Sequence, residues 1–290
     1  MGDIYVKFNK FCDNLRMSKQ SVDTVRYRYD RIQGCLNAAF WDGYGYHTRY
    51  VGSYGRGTAI HLSDIDMIFE IPYTVYNQYD RYLGNGQSAL LQKVKDTLHE
   101  TYPFTNIRGD GQVVVLDFKD GIRFEIVPAY KQYDDSYLYP DTHAGGRWKK
   151  TNPILEINAV KDLNRQTNKN MQHLCRMVRA WKDLYNVPMS GLLIDTLAGR
   201  FMRGWYHAGK SYLYYDYLTR DFFDFLRNED DTKAFWYAIG SNQLVYNHGS
   251  FHRAAEKAYN NAISAINSEV QNNEWMANYY WRLIYGSKFE

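Results

Sequence analysis

The chain has 290 residues, enough for one large domain or two ordinary ones and for a sizeable core. Apolar residues make up 45% and charged residues 23%, the mean hydropathy is −0.58, and no 18-residue apolar run exists, which excludes a transmembrane helix. Lys and Arg outnumber Asp and Glu by only 35 to 32, so a net charge of +3 gives no bulk attraction to nucleic acid or to a membrane surface.

The three cysteines, Cys12, Cys35 and Cys175, are odd in number and widely spaced. That argues against a disulfide framework and a zinc ribbon and fits a reducing cytoplasm. The opening residues, Met1 to Val6, have neither the apolar run of a signal peptide nor the Ser or Thr of a myristoylation signal. Tyrosine is abundant at 28 residues and reads as a compositional bias.

Ile4, Phe8, Phe11, Cys12 and Leu15 follow a helical period, and Ser21 is placed to cap a second helix carrying Val22, Val25, Tyr29, Ile32 and Leu36. A strand near 47–51 runs into Gly52-Ser53-Tyr54-Gly55-Arg56-Gly57-Thr58, and a second near 63–71 ends at Pro72. A helix over 87–101 carries Leu90, Leu91, Val94 and Leu98. Strands follow near 112–118 and 122–127, joined by a Lys119-Asp120-Gly121 turn. Residues 128–153 hold three prolines and two adjacent glycines and read as an irregular crossing segment. Next comes an amphipathic helix with Met171, Leu174, Cys175, Val178, Trp181 and Tyr185 on one face. No proline follows Pro188, so the remainder reads as mostly helical. The fold class expected is α+β: a mixed-sheet lobe over 1–150, N-terminal helices included, and a helical-bundle lobe over 151–290.

The chemistry concentrates at Gly52-Ser53 and at Asp64-Ile65-Asp66. Alternate residues of a strand share a face, so Asp64 and Asp66 stand together while Ile65 packs the other way. Parallel carboxylates repel unless a cation lies between them, and Mg²⁺ takes oxygen ligands and suits nucleotide phosphates. Two such ions activate an attacking hydroxyl and stabilise a leaving phosphate. A strand turning at Gly52 into a helix aims backbone N–H groups at an anion, and the Ser53 hydroxyl adds a hydrogen bond. Glu125, between apolar neighbours on a later strand, is preferred as the third acid over Asp117. Each piece alone is ordinary; the combination is specific.

Gly52-Ser53, Asp64-x-Asp66 and Glu125-Ile126-Val127-Pro128-Ala129 resemble the DNA polymerase β-like nucleotidyltransferases, and more closely the cGAS/DncV-like (SMODS) group of bacterial anti-phage defence. Asn152-Pro153, Leu163 to Thr167, Leu174 to Lys182 and Pro188 to Gly191 resemble that group's helical lobe. The similarity runs from about residue 5 to 210. It implies a bilobal enzyme, active between its lobes, that joins two NTPs into a cyclic oligonucleotide, chiefly a cyclic dinucleotide. Asp64, Asp66 and Glu125 would hold two Mg²⁺, with Mn²⁺ as substitute. Gly52, Ser53, Lys182 and Ser190 would contact the donor triphosphate. From the residues alone, Arg176, Arg179 and Lys182 leave one side of their helix basic; a solvated face is the alternative for Lys182, and a helix N-cap for Ser190. The family's third acid is often Asp, where this chain has Glu125. With no clustered Cys/His insertion, DNA is not expected to be required. A separate effector receiving the product and a regulatory protein are the partners implied, with no membrane. Two alternatives remain: a nucleotidyltransferase acting on RNA, a protein or a small molecule, which would share the acids, and an inactive nucleotide-binding or antitoxin-like partner, against which the intact acid set argues.

Overall fold

The structure is a computed structural model and describes residues 2–43, 45–61 and 64–290. The chain divides into two compact units, Met17–Gly55 with His61–Ile154, and Met1–Arg16 with Arg56–Ile60 and Leu155–Glu290. Helix α1 (Gly2–Asn14) belongs to the latter.

The sheet unit begins with α2 (Lys19–Phe40), β1 (Thr48–Tyr50) and the single-turn α3 (Gly52–Arg56). It continues through β2 (Ile65–Glu70), α4 (Tyr73–Asp80), α5 (Gly86–Thr101), β3 (Asn106–Asp110) and β4 (Val113–Asp117). Strands β5 (Arg123–Lys131), β6 (Tyr137–Asp141) and β7 (Arg147–Thr151) complete it. The strand order is β1-β2-β5-β4-β3, with β6 beside β5 and β7 beside β6. Only β2 and β5 run parallel, so the sheet is mixed. Ile65, Met67 and Phe69 of β2 and Phe124 and Ile126 of β5 are fully buried against Val25, Ile32 and Leu36 of α2 and Leu90, Val94 and Leu98 of α5. Alternation then puts the intervening acids on the other face.

Two expectations are corrected here. The α2 cap is Ser18, whose hydroxyl accepts from the Ser21 N–H at 3.1 Å, so the helix starts earlier than a Ser21 cap required. The segment 128–153 is largely strand. Pro128 is tolerated in β5 because it lies past the last β4 pair, Val114↔Ile126, and before the first β6 pair, Tyr130↔Leu138, where its missing N–H breaks no ladder on that side. The tail also holds a two-stranded sheet, β8 (Phe235–Tyr237) with β9 (Leu244–Tyr246). Of the strand expected over 63–71, Ser63 lies outside the described residues.

The helical unit comprises α1, α6 (Pro153–Gln166), α7 (Asn170–Tyr185), α8 (Gly191–Gly204), α9 (Tyr215–Arg227), α10 (His252–Val270) and α11 (Glu274–Tyr285). Expected to join the sheet lobe, α1 instead packs Phe8 edge-on against Trp281 at 5.2 Å and Phe11 against Tyr285 at 4.6 Å. Lys7 adds a 2.9 Å ion pair with Glu269. Its aromatic stripe is satisfied by the aromatic-rich tail, a match that no local pattern announces.

A buried charge network lies inside this unit. Asp195 of α8 accepts from Arg56 Nε at 2.7 Å, Arg179 Nη1 at 2.6 Å and Thr58 Oγ1 at 3.0 Å. Glu156 of α6 accepts from Ser241 at 2.9 Å and pairs with Arg56 Nη1 at 3.4 Å. Burial alone pushes the Asp195 carboxyl up, but Arg179 and Arg56 overcome it and bring it from 3.8 down to about 2. Asp195→Ala strands both guanidinium groups and is expected to cost about 3–5 kcal/mol in thermal or urea unfolding. Because the folded carboxyl ionises at lower pH than the unfolded one, its contribution is present above pH 3.8 and is lost as pH falls toward about 2.

Candidate active site

Asp66 and Glu125 are register partners in the parallel β2–β5 pair, so their carboxylates stand side by side on one sheet face. Neither neighbouring residue competes for that face, since Ile65, Met67, Phe124 and Ile126 are fully buried in the core. Asp64, immediately before β2, is more exposed, and Arg123 Nη1 lies 3.5 Å from its Oδ1. Burial, then the charge of Asp66, then that of Asp64, hold the Glu125 carboxyl above its ordinary range, with Arg123 opposing. The cluster is therefore strained by like charge.

Gly52 follows β1 and opens α3 with φ +57°, a conformation that favours glycine. A Cβ there would fall inside the Asp66 carboxylate, at Oδ2. The Val51 N–H donates to the Asp66 carbonyl at 2.9 Å, and the Gly55 N–H closes the turn on the Val51 carbonyl at 2.8 Å. Gly52-Ser53 thus lies against Asp66 because only a residue without a side chain fits the approach. Since α3 is one turn long, the phosphate-binding potential rests on that turn's N–H groups and on Ser53 rather than on an extended helix dipole.

Asp117 is engaged elsewhere. Arg123 Nε donates to its Oδ1 at 2.6 Å, and Arg108 pairs with its other oxygen. The structure thus brings Glu125, not Asp117, beside Asp66. Arg123, missed in the sequence reading, lies two residues before Glu125 and links Asp64 to Asp117. Its signal was available: an Arg sharing a strand face with an acid cluster.

Lys182 and Ser190 belong to the helical unit. Lys182, in the last turn of α7, is partly exposed, with Nζ 3.5 Å from Asp183. Ser190 caps α8, accepting from the Leu193 N–H at 3.2 Å. The basic helix side expected from Arg176, Arg179 and Lys182 is corrected: Arg179 is buried on Asp195, and Arg176 Nη2 donates to the Gly57 carbonyl at 2.7 Å. Both are consumed by structure, which leaves Lys182.

Among the described residues, no three His, Cys, Asp or Glu side chains converge closely enough to enclose a metal by themselves. The donor set still fits Mg²⁺, a hard cation commonly held by one or two carboxylates and completed by substrate phosphates and water. The repulsion that Asp66 and Asp64 exert at Glu125 is what such a cation would relieve. Glu125→Gln removes that repulsion, so its melting temperature is expected to match or exceed that of the wild type. Because Glu125 is held above its ordinary range, the repulsion fades as pH falls through its folded pKa. The difference in melting temperature between the two proteins should then narrow on acidification.

Comparison with known proteins places this geometry. Residues 3–164 match the family model described as Second Messenger Oligonucleotide or Dinucleotide Synthetase domain (SMODS). A probable cyclic nucleotide synthase of Bacillus cereus (strain VD146) is 24% identical over 277 residues, covering 82% of this chain and 80% of the relative. The fold is similar to that of CdnC from E. coli MS115-1 in its HORMA-deltaN complex (TM-score 0.69, 18% identity, 99% of this chain and 98% of the other). It is also similar to the Bradyrhizobium diazoefficiens CD-NTase CdnG in complex with GTP (TM-score 0.68, 11% identity, 99% and 96%). With more than half of its length matched, a mixed sheet presenting paired acids and a glycine turn closed on one of them, this chain belongs to the SMODS family and is a nucleotidyltransferase.

Proposed function

We propose that the chain is a cyclic oligonucleotide synthase, making chiefly a cyclic dinucleotide from two NTPs as a second messenger in bacterial anti-phage defence. The observation that carries the reading is the Asp66–Glu125 pair with the Gly52 turn closed upon it. Carboxylate oxygens beside the first turn of a helix support the handling of a metal-bound triphosphate.

In this reading Gly52 and Ser53 hold the donor triphosphate through backbone N–H groups and the Ser53 hydroxyl. Asp64, Asp66 and Glu125 would hold two Mg²⁺, with Mn²⁺ as substitute. When bound, the cations supply charge that stabilises the triphosphate and makes a hydroxyl more acidic. Glu125, as metal ligand or as base, assists loss of the proton from the attacking ribose hydroxyl. That oxygen bonds to the α-phosphorus of the donor as the bond to pyrophosphate breaks. A second round on the linear product closes the ring. Lys182 and Ser190 contact the triphosphate, Ser190 through the hydroxyl proton that its capping role leaves free.

The net charge of +3 supports synthesis without double-stranded DNA. A regulatory protein partner is supported by the HORMA complex of the E. coli relative, and a separate effector would receive the product. We place the enzyme in the cytoplasm, where NTPs are made; no helix among the described residues is long and apolar enough to cross a membrane.

Purified protein with all four NTPs and Mg²⁺ or Mn²⁺ is expected to yield a cyclic product by mass spectrometry. Asp64→Asn with Asp66→Asn should abolish it while the protein stays folded; retained synthesis would refute the acid assignment. Lys182→Ala is expected to weaken NTP use about 10- to 100-fold, the worth of one charged hydrogen bond, with an unchanged melting temperature. Unchanged kinetics would make Lys182 a solvated surface residue.

A further inference from the structure

The helical unit contains a cavity of about 430 Å³ bounded by the segment after α7, by α10 and by α11. Its volume lies in the range of small-molecule sites. None of the seven residues assigned above to the acids or the triphosphate lines it.

Its lining has two parts. Val187, Pro188, Ala254, Ala258 and Leu283 give an apolar wall. Tyr185 extends it, and its hydroxyl donates to the Leu283 carbonyl, so the ring is tied between α7 and α11 with its polar end satisfied. Opposed to this are Arg253 and Lys257, one helical turn apart on α10 and both exposed. Neither forms an ion pair with any described residue. Four other cations around α7 have carboxylate or carbonyl partners: Arg56 and Arg179 on Asp195, Arg176 on the Gly57 carbonyl, Lys182 on Asp183. Two neighbouring cations at a cavity without counter-charge attract an anion carrying at least two charges. Asn186 and Asn261 supply amides, groups that read hydrogen-bonding edges.

An apolar wall closed by a fixed aromatic ring, two amides and a cation pair are the complement of one ligand chemistry: a flat, hydrogen-bonding ring joined to phosphate. We propose that this cavity is a second nucleotide site, taking the phosphates on Arg253 and Lys257 and the base against Tyr185, Pro188 and Leu283. The segment 186–188 that lines it leads directly to Ser190, the cap of α8. Occupancy therefore acts on the chain two to four residues before a proposed triphosphate contact, which makes the site regulatory. This last step rests on the function proposed above; the binding itself does not.

The test separates the two. Nucleotide binding is measured by calorimetry on the intact chain carrying Asp64→Asn and Asp66→Asn, in excess EDTA, so that metal-dependent triphosphate binding is removed. The ligands are ATP, GTP, a cyclic dinucleotide and inorganic pyrophosphate. At least one nucleotide is expected to bind. Adding Arg253→Ala with Lys257→Ala should weaken it about tenfold or more. Ala254→Trp, which fills the cavity without touching charge, should do the same. Each variant is accepted only with an unchanged melting temperature; should one fail to fold, Lys257→Glu and Asn261→Leu replace it. Binding that survives both the charge and the filling variants overturns the proposal, as does the absence of any nucleotide binding. Pyrophosphate binding as tightly as the nucleotides reduces the site to an anion site and overturns the base contact. None of these outcomes touches the catalytic reading, because the protein used lacks Asp64 and Asp66 and is assayed for binding alone.

Discussion

The charge of Asp66 held beside that of Glu125 is the constraint around which the sheet unit is arranged. Paired parallel strands lie about 4.8 Å apart, so register alone forces these carboxylates together. Their repulsion is tolerated because the same strands drive Ile65, Met67, Phe69, Phe124 and Ile126 into a fully buried core. Each such burial is worth roughly 1.5–3 kcal/mol, so the apolar face outweighs the acid face without local relief. The fold thus holds an acid pair together by strand register. The neighbouring Arg123 guanidinium is committed to Asp117 and Asp64.

Gly52 makes this constraint functional. The strand β1 pairs with β2 so that Tyr50 opposes Met67, and the chain must then turn immediately past the Asp66 carboxylate. Any side chain at Gly52 would collide with that carboxylate. At the far end of the same turn, Arg56 is buried on Asp195 and Glu156. Two arginines face two carboxylates there, so the network is balanced, and Thr58, Ser241 and Gln243 satisfy its remaining acceptors.

Positive charge in the helical unit divides by what surrounds it. Arg56, Arg176 and Arg179 serve the packing of α7 and α8, whereas Arg253 and Lys257 on α10 face a cavity without a counter-charge. A helical-wheel view cannot separate these groups. Arg179 and Lys182 look alike on α7, and only the acidic residue of the neighbouring α8 decides that one is internal and the other partly exposed.

The sequence alone determined which acids of the sheet unit share a face. Strand alternation placed Asp66 and Glu125 opposite their apolar neighbours, glycine spacing marked the turn, and these features are local, fixed by a two-residue period and by the missing Cβ of Gly52. The α+β class followed from the same periodicities, and so did the helices α1, α5 and α7. Tertiary structure decided the rest. The strand β6 was masked by Pro140, which is tolerated because it lies past the β5 pairs, with only β7 across from it. Helix α1 joined the helical unit because Phe8 and Phe11 found aromatic partners some 270 residues away in sequence, at Trp281 and Tyr285. Asp117 and Glu125 were separable as site acids only once Arg108 and Arg123 were seen to claim the former. In each case the deciding contact joins residues distant along the chain, and no local pattern encodes which of several compatible partners a side chain will meet.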